Sequence, residues 1–202
     1  MGGHKLKVGI VVFLGTNCEQ DTKRACEFFG WDIEYIWQDE IITKPYDLII
    51  IPGGFSYGDH ISSGRIAKLS PAIKSLPVGK SLIVGICNGF QILCEAKLLS
   101  GALTDNQNIN FISKVADLNF LGEQILLPIA HHQGNYVCEN LDESQIIMTY
   151  KHNENGSDMS IAGIYDRQNK IIGMMPHPER AVFAELGLTD GRNVFDFIKN
   201  EI

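Results

Sequence analysis

The sequence predicts an α/β fold, an open and mostly parallel sheet with helices on both faces and an antiparallel strand extension in its second half. Three observations predict it. The apolar runs Leu48–Ile51 and Leu82–Ile86 are strand-sized and do not alternate, as expected for strands buried on both faces. Helix-like segments separate the apolar runs of the first hundred residues, the pattern of βαβ units. Beyond residue 109 the strand-like runs follow one another closely with no strong helix between them, which calls for hairpins.

Taken in order, residues 7–13 form a first strand that ends at Gly15. A helix over 21–29 follows, with Asp21 as N-cap and Gly30 as the stop. Asp32–Trp37 is the second strand, with Ile33, Tyr35 and Trp37 on one face. The third, 47–51, is cut by Pro52-Gly53-Gly54. Helical pieces are expected over 61–69 and 71–76, with Pro71 suited to a first turn. The fourth strand, 81–86, runs into a helix over 88–98. The second half offers strands at 111–118, 124–130, 145–150, 161–165 and 170–175, then helices at 179–186 and 191–199. No repeat, low-complexity tract or linker interrupts the chain. It reads as a single domain, 1–202, of open flavodoxin-like sheet topology.

Composition narrows the function. Leu, Ile, Val and Phe are too plentiful for a disordered chain. Asp and Glu outnumber Lys and Arg by 24 to 17, a formal charge of −7, with no basic run. Nucleic acid is therefore a poor partner, because phosphate affinity is mostly a Lys/Arg effect. No apolar stretch approaches the ~20 residues of a membrane span. The first residues lack the layout of a signal peptide, and Leu6 breaks the myristoylation pattern. The five cysteines are odd in number and include no CxxC pair. That spacing points to reduced thiols and a cytoplasmic location, with no metal ligand set.

The segment richest in chemistry is Val84-Gly85-Ile86-Cys87-Asn88-Gly89-Phe90-Gln91. A buried strand enters Cys87 and a helix leaves it, with Gly85 and Gly89 two residues to either side. This is the spacing of a nucleophile elbow, whose tight turn crowds both flanking positions. The helix N-terminus beneath the sulfur favours a negative charge there. The free amide of Asn88 is placed to donate to an oxyanion. The competing reading is a small buried hydrophobe, the usual role of a free cysteine and the one expected of Cys18, Cys26, Cys94 and Cys138.

A nucleophilic thiol needs a base and a group to orient it. His177 follows an apolar strand in Met175-Pro176-His177-Pro178-Glu179. In an extended segment, residues two apart share a face, so Glu179 can fix the imidazole. The competing reading is a solvated loop histidine followed by a helix-start glutamate. Pro52-Gly53-Gly54 is first a turn signal, and second a backbone able to approach a substrate and offer amides from Gly54 and Phe55. Loops at the carboxyl ends of neighbouring parallel strands share one crevice, so this loop and Cys87 are expected to face each other.

Three segments together, Pro-Gly-Gly-Phe-Ser-Tyr-Gly-Asp (52–59), Gly-Ile-Cys-Asn-Gly-Phe-Gln (85–91) and Met-Pro-His-Pro-Glu-Arg-Ala (175–181), resemble the class I (triad) glutamine amidotransferases. Within that family the wording is similar to the glutaminase subunits of phosphoribosylformylglycinamidine synthases. Gly-Thr-Asn-Cys-Glu (15–19), Pro-Ile-Ala-His (128–131) and Asn-Gly-Ser (155–157) extend the likeness over nearly the whole chain. The resemblance implies Cys87 as nucleophile, His177 as acid/base and Glu179 as its orienting carboxylate. It implies an oxyanion hole from the amides of Asn88 and the Gly54–Phe55 loop, and a place for Gln91 near the substrate side chain. It also implies that the His131–Gly134 loop holds the amino-acid end of L-glutamine. The implied partners are a synthetase subunit together with a small adaptor subunit. ATP and Mg²⁺ are expected on the synthetase, and no cofactor in this chain.

Three departures from the family wording stand out. His132 and Gln133 replace a small residue and an acidic one, the stretch Ser62-Ser63-Gly64-Arg65 lacks an arginine before its glycine, and the chain is about a dozen residues short between Leu118 and Gln124. Tyr57, Tyr136 and Phe183 are candidate interface aromatics. Two alternatives remain open at this stage, another cysteine-elbow hydrolase of the DJ-1/protease-like group and a non-catalytic partner subunit.

Overall fold

A computed structural model describes residues 5–59 and 63–202. The strands are β1 (Lys7–Val12), β2 (Asp32–Trp37), β3 (Leu48–Ile51), β4 (Leu82–Ile86), β5 (Ala102–Thr104), β6 (Ile112–Phe120), β7 (Glu123–His131), β8 (Asn135–Val137), β9 (Ile146–Tyr150), β10 (Ile161–Asp166) and β11 (Ile171–Met174). The α-helices are α1 (Glu19–Phe28), α2 (Pro71–Lys74), α3 (Asn88–Glu95) and α4 (Gly191–Asn200). Nine strands form one sheet in the order β2-β1-β3-β4-β11-β10-β9-β6-β7. The first five run parallel and the last four extend them antiparallel. This is the expected fold class, with the last strand of the chain, β11, completing the parallel half.

The parallel strands carry the core. β3 and β4 are buried at every position, which is why their sequences are continuous rather than alternating. Each such Ile or Leu contributes about 1.5–3 kcal/mol by leaving water. β2 is the edge strand, and there the inward residue is Ile36, while Trp37 is half exposed. α1 and α4 pack on one face through the stacked rings of Phe29 and Phe195. On the other face α3 lies against β3, β4 and β11. The antiparallel half is amphipathic: in β7 every second residue from Ile125 to His131 is buried.

Several local readings change. The helix expected over 179–186 is two separate 3₁₀ turns, Pro178–Arg180 and Ala184–Leu186. Glu179 turns inward to His177, and the chain leaves helical geometry at Ala181 (φ −123°). Asp21 lies inside the first turn of α1 rather than capping it, and Cys18 takes the N-cap position. Of the helix expected over 61–69, residues 61–62 lie outside the described residues. The remainder is turn followed by a 3₁₀ turn, Ala67–Leu69, and α2 is a single turn capped by Ser70. β5 and β8, which the sequence reading passed over, pair as a short separate ribbon. Tyr136 on β8 is fully buried against Phe90, so it is no surface anchor.

The short stretch after Leu118 closes directly. β6 continues to Phe120, Leu121 and Gly122 both take positive φ (52° and 94°), and β7 begins at Glu123. Two central residues with positive φ make the tight hairpin turn that matches strand twist.

Candidate active site

The elbow has the geometry its glycines imply. Cys87 takes φ 50°, ψ −105°, a sparsely populated conformation held between β4 and α3. A Cβ on Gly89 would fall 1.9 Å from the Ile51 carbonyl oxygen, and one on Gly85 would fall 2.7 Å from the Gly89 backbone. Side chains at either position would push α3 off the sheet.

His177, the candidate base, lies across the crevice. His177 is tied to the antiparallel half by its amide, which donates to the Pro128 carbonyl at 2.8 Å. Its Nδ1 meets Glu179 Oε1 at 2.6 Å, and both side chains are almost fully buried. The pairing is as expected, but the backbone is not extended: the turn at Pro178–Arg180 curls Glu179 back under the ring. Burial opposes the charged imidazole, yet the Glu179 carboxylate and the Cys87 and Cys18 thiols outweigh it and hold the ring well above its ordinary range. The Cys87 thiol also reaches the Ala130 carbonyl at 3.6 Å.

Cys87, His177, Gly54 and Phe55 line one cleft of about 110 Å³, together with Asn17, Cys18, Phe111, Ala130 and Arg180. Larger hollows, about 620 Å³ beside Cys138 and about 250 Å³ beside Tyr46, contain no thiol–imidazole pair. The Phe55 amide is spent on the Gly15 carbonyl at 2.9 Å, and the Cys18 amide on Gly53. Those bonds pin the loop with the Gly54 amide left without a backbone partner among the described residues. Gly54 takes φ 152°, and a Cβ there would meet Thr16 at 2.7 Å. The Asn88 amide opens α3 and has no intrahelical acceptor. The amides of Gly54 and Asn88 are thus left free to donate, and that of Phe55 is not.

Gln91, His131 and Gly134 do not line this cleft. Gln91 belongs to a chain of hydrogen bonds beneath it. Asn88 Oδ1 accepts from the Ser56 amide (3.2 Å), Asn88 Nδ2 donates to Gln91 Oε1 (2.9 Å), and Gln91 Nε2 donates to the Gln133 carbonyl (2.6 Å). Gln133 in turn accepts from the Ser63 amide and donates to Asp105. The elbow, the oxyanion loop and the 131–134 loop are thereby locked to one another. His132 faces outward, 3.7 Å from Asp105.

A buried polar cage holds the other side of that loop, and the sequence reading missed it. Asn106 Oδ1 meets His131 Nδ1 (3.0 Å) and the Gly134 amide (3.1 Å), while its Nδ2 donates to the Asn110 and His131 carbonyls. Asn155 and Ser157 donate to the Gly134 carbonyl. Burial, with a smaller contribution from His177, lowers the His131 pKa to about 4. The unfolded chain then binds the extra proton between pH 6.5 and 4, so stability falls as pH falls through that window. The difference is worth about 3 kcal/mol at most. Urea midpoints measured from pH 7 to pH 4 are expected to fall less in His131→Asn than in the parent, because the asparagine keeps a donor toward Asn106 without titrating. Parallel curves for the two proteins would contradict this assignment.

A family model described as a CobB/CobQ-like glutamine amidotransferase domain matches residues 5–140 and 122–186. The chain belongs to the CobB/CobQ-like glutamine amidotransferase family. It is accordingly an enzyme of the glutamine amidotransferase class. It is 43% identical to a Helicobacter hepaticus protein named phosphoribosylformylglycinamidine synthase subunit PurQ, covering 95% of this chain and 96% of that one. An Alkaliphilus metalliredigens protein of the same name is 42% identical over 96% and 95% of the two chains. Among solved structures, a chain of PurLQS from Thermotoga maritima superposes with a TM-score of 0.90 at 40% identity, covering 98% of this chain and 99% of that chain. Another glutamine amidotransferase from Thermotoga maritima shares the fold, with a TM-score of 0.54 at 16% identity over 98% and 84% of the two chains. Among the described residues no helix is long and apolar enough to cross a membrane.

Proposed function

We propose that this chain is the glutaminase subunit of a phosphoribosylformylglycinamidine synthase of purine biosynthesis, acting in the cytoplasm. The observation that carries the reading is Cys87 and His177 lining one cleft with Gly54, His177 paired to the buried Glu179, and the free Asn88 amide next to Cys87 at the head of α3. The Cys87 sulfur attacks the side-chain carboxamide of L-glutamine, and the oxyanion forms between the Gly54 and Asn88 amides. His177 gives its proton to the departing ammonia, leaving a thioester. It then takes a proton from water, which attacks the thioester and frees glutamate. Glu179 keeps the ring in one orientation throughout. The ammonia passes to a synthetase subunit, which carries the ATP and Mg²⁺ and converts formylglycinamide ribonucleotide to the amidine, with a small adaptor subunit in the same complex.

The test is a glutaminase assay on the chain alone, then with synthetase, adaptor, formylglycinamide ribonucleotide and ATP. Slow release alone and stimulation of about tenfold or more in the complex is the expected result. Full activity alone with no response to the partners would make it a free hydrolase instead. Absence of ammonia under both conditions would end the enzymatic reading.

A further inference from the structure

The mechanism above uses the main-chain amide of Asn88 and leaves its side chain without a task. That side chain is buried where β4 meets α3, and a buried carboxamide is stable there only if its donors and acceptor are matched. Its partners fix its orientation. The Gln133 carbonyl can only accept, so Gln91 turns Nε2 to it at 2.6 Å and leaves Oε1 for Asn88. That oxygen can also only accept, so Asn88 turns Nδ2 to it at 2.9 Å. Asn88 Oδ1 is then left toward the Ser56 amide, from which it accepts at 3.2 Å. Reversing either carboxamide would set acceptor against acceptor. Ser56 lies two residues after Gly54. The amides to either side of it, on Phe55 and Tyr57, donate to the Gly15 and Leu14 carbonyls at 2.9 and 2.7 Å. The loop is thus tied to the turn after β1 by two amides, and to the head of α3 by the one between them. Among the described residues this is the one hydrogen bond between the loop and α3.

We propose that the Asn88 carboxamide is a positioning group for glutamine hydrolysis, a brace that holds the Gly54 amide in register with the main-chain amide of Asn88 itself. That role rests on the oxyanion site proposed above for these two amides; the brace itself does not. Asn88 is not among the residues lining the cleft, so its side chain acts on the developing oxyanion through the backbone it holds. Donors fixed in place favour the transition state over the bound substrate, and their misalignment is felt in kcat rather than in KM. Aspartate is the discriminating substitution, because it keeps the shape of the side chain and an acceptor toward Ser56. Ionised, it has no donor for Gln91 Oε1; protonated, its O–H restores one.

Steady-state glutaminase kinetics of the full chain with its synthetase partners, compared with Asn88→Ala and Asn88→Asp, test the role. Both variants are expected to lose about 100-fold in kcat near pH 8, with KM within about threefold of the parent's. The kcat of Asn88→Asp relative to the parent's is expected to rise as the pH is lowered from about 8 to about 6, since burial raises a carboxyl pKa toward that range. The same ratio for Asn88→Ala is expected to stay flat. Full kcat in Asn88→Asp at pH 8, a flat ratio for that variant, or a loss expressed in KM alone overturns the proposal. A measurement on the parent guards against misfolding of the variants and needs no turnover. Hydrogen exchange read by NMR is expected to show the Ser56 amide exchanging about tenfold or more slower than an exposed loop amide, and exchange at the exposed rate overturns the brace. If the parent releases no ammonia, the glutaminase function and the positioning role fall together. A protected Ser56 amide with full kcat in both variants overturns the positioning role alone.

Discussion

Cys87→Ala is expected to lower ammonia release from glutamine by about 10⁴-fold or more, the scale seen when a nucleophile that acts as a unit with its base is removed. The fold should tolerate the change. The side chain lost is small, and no other residue depends on it for a structural hydrogen bond beyond the long contact to the Ala130 carbonyl. The melting temperature is therefore expected to stay within a few degrees of the parent's. The idle thiol at Cys18 makes this variant informative. Cys18 lines the same cleft, with its sulfur within 4.8 Å of a His177 ring nitrogen, but it sits at the head of α1 rather than on the strained turn. If Cys87→Ala retained substantial glutaminase activity, Cys18 or water would be the attacking group, and the elbow would be structural.

Gly89→Ala is expected to have the largest effect on stability. In an ordinary helix the exchange gains about 1 kcal/mol from propensity alone. Here the new methyl would stand 1.9 Å from the Ile51 carbonyl oxygen and 2.8 Å from its carbon, both backbone atoms of the central sheet. Neither can rotate away, so α3 must shift as a body. A net cost of about 3–4 kcal/mol follows, which for a domain of this size is roughly a 10 °C fall in melting temperature. Because α3 begins at Asn88, the shift also moves Cys87 and the Asn88 amide, the proposed nucleophile and oxyanion donor. A misplacement of about 1 Å is enough for a 100-fold loss in kcat. A Gly89→Ala protein that melts with the parent would mean that α3 does not approach β3 as described.

These two residues also show what the sequence makes legible. The elbow is readable because sterics leave only glycine at positions 85 and 89, and no other turn imposes that demand at that spacing. The parallel half is readable because double burial erases alternation in β3 and β4. His177 and Glu179 were recognisable as partners, but not the turn that joins them, since the bend is set by Glu179 facing inward rather than by local preference. The polar cage was not legible. Asn106, Asn155 and Ser157 carry residue types that ordinarily mark exposed turns, and their shared target, Gly134, lies more than twenty residues from each. Cys18 reads as packing for the same reason: its neighbour His177 is remote in the chain, and no spacing rule reaches that far. Phe55 shows the reverse limit. Its position on the loop was correct, but only the fold reveals that its amide is already committed to Gly15.

The central claim is that Cys87, driven by His177, carries the substrate. Rapid acid quenching of the protein during turnover with glutamine, followed by peptide mass spectrometry, tests it most directly. The account predicts one γ-glutamyl thioester, on Cys87, and its absence in the Cys87→Ala protein. A γ-glutamyl group on Cys18, or steady turnover with no covalent adduct on any cysteine, would contradict it.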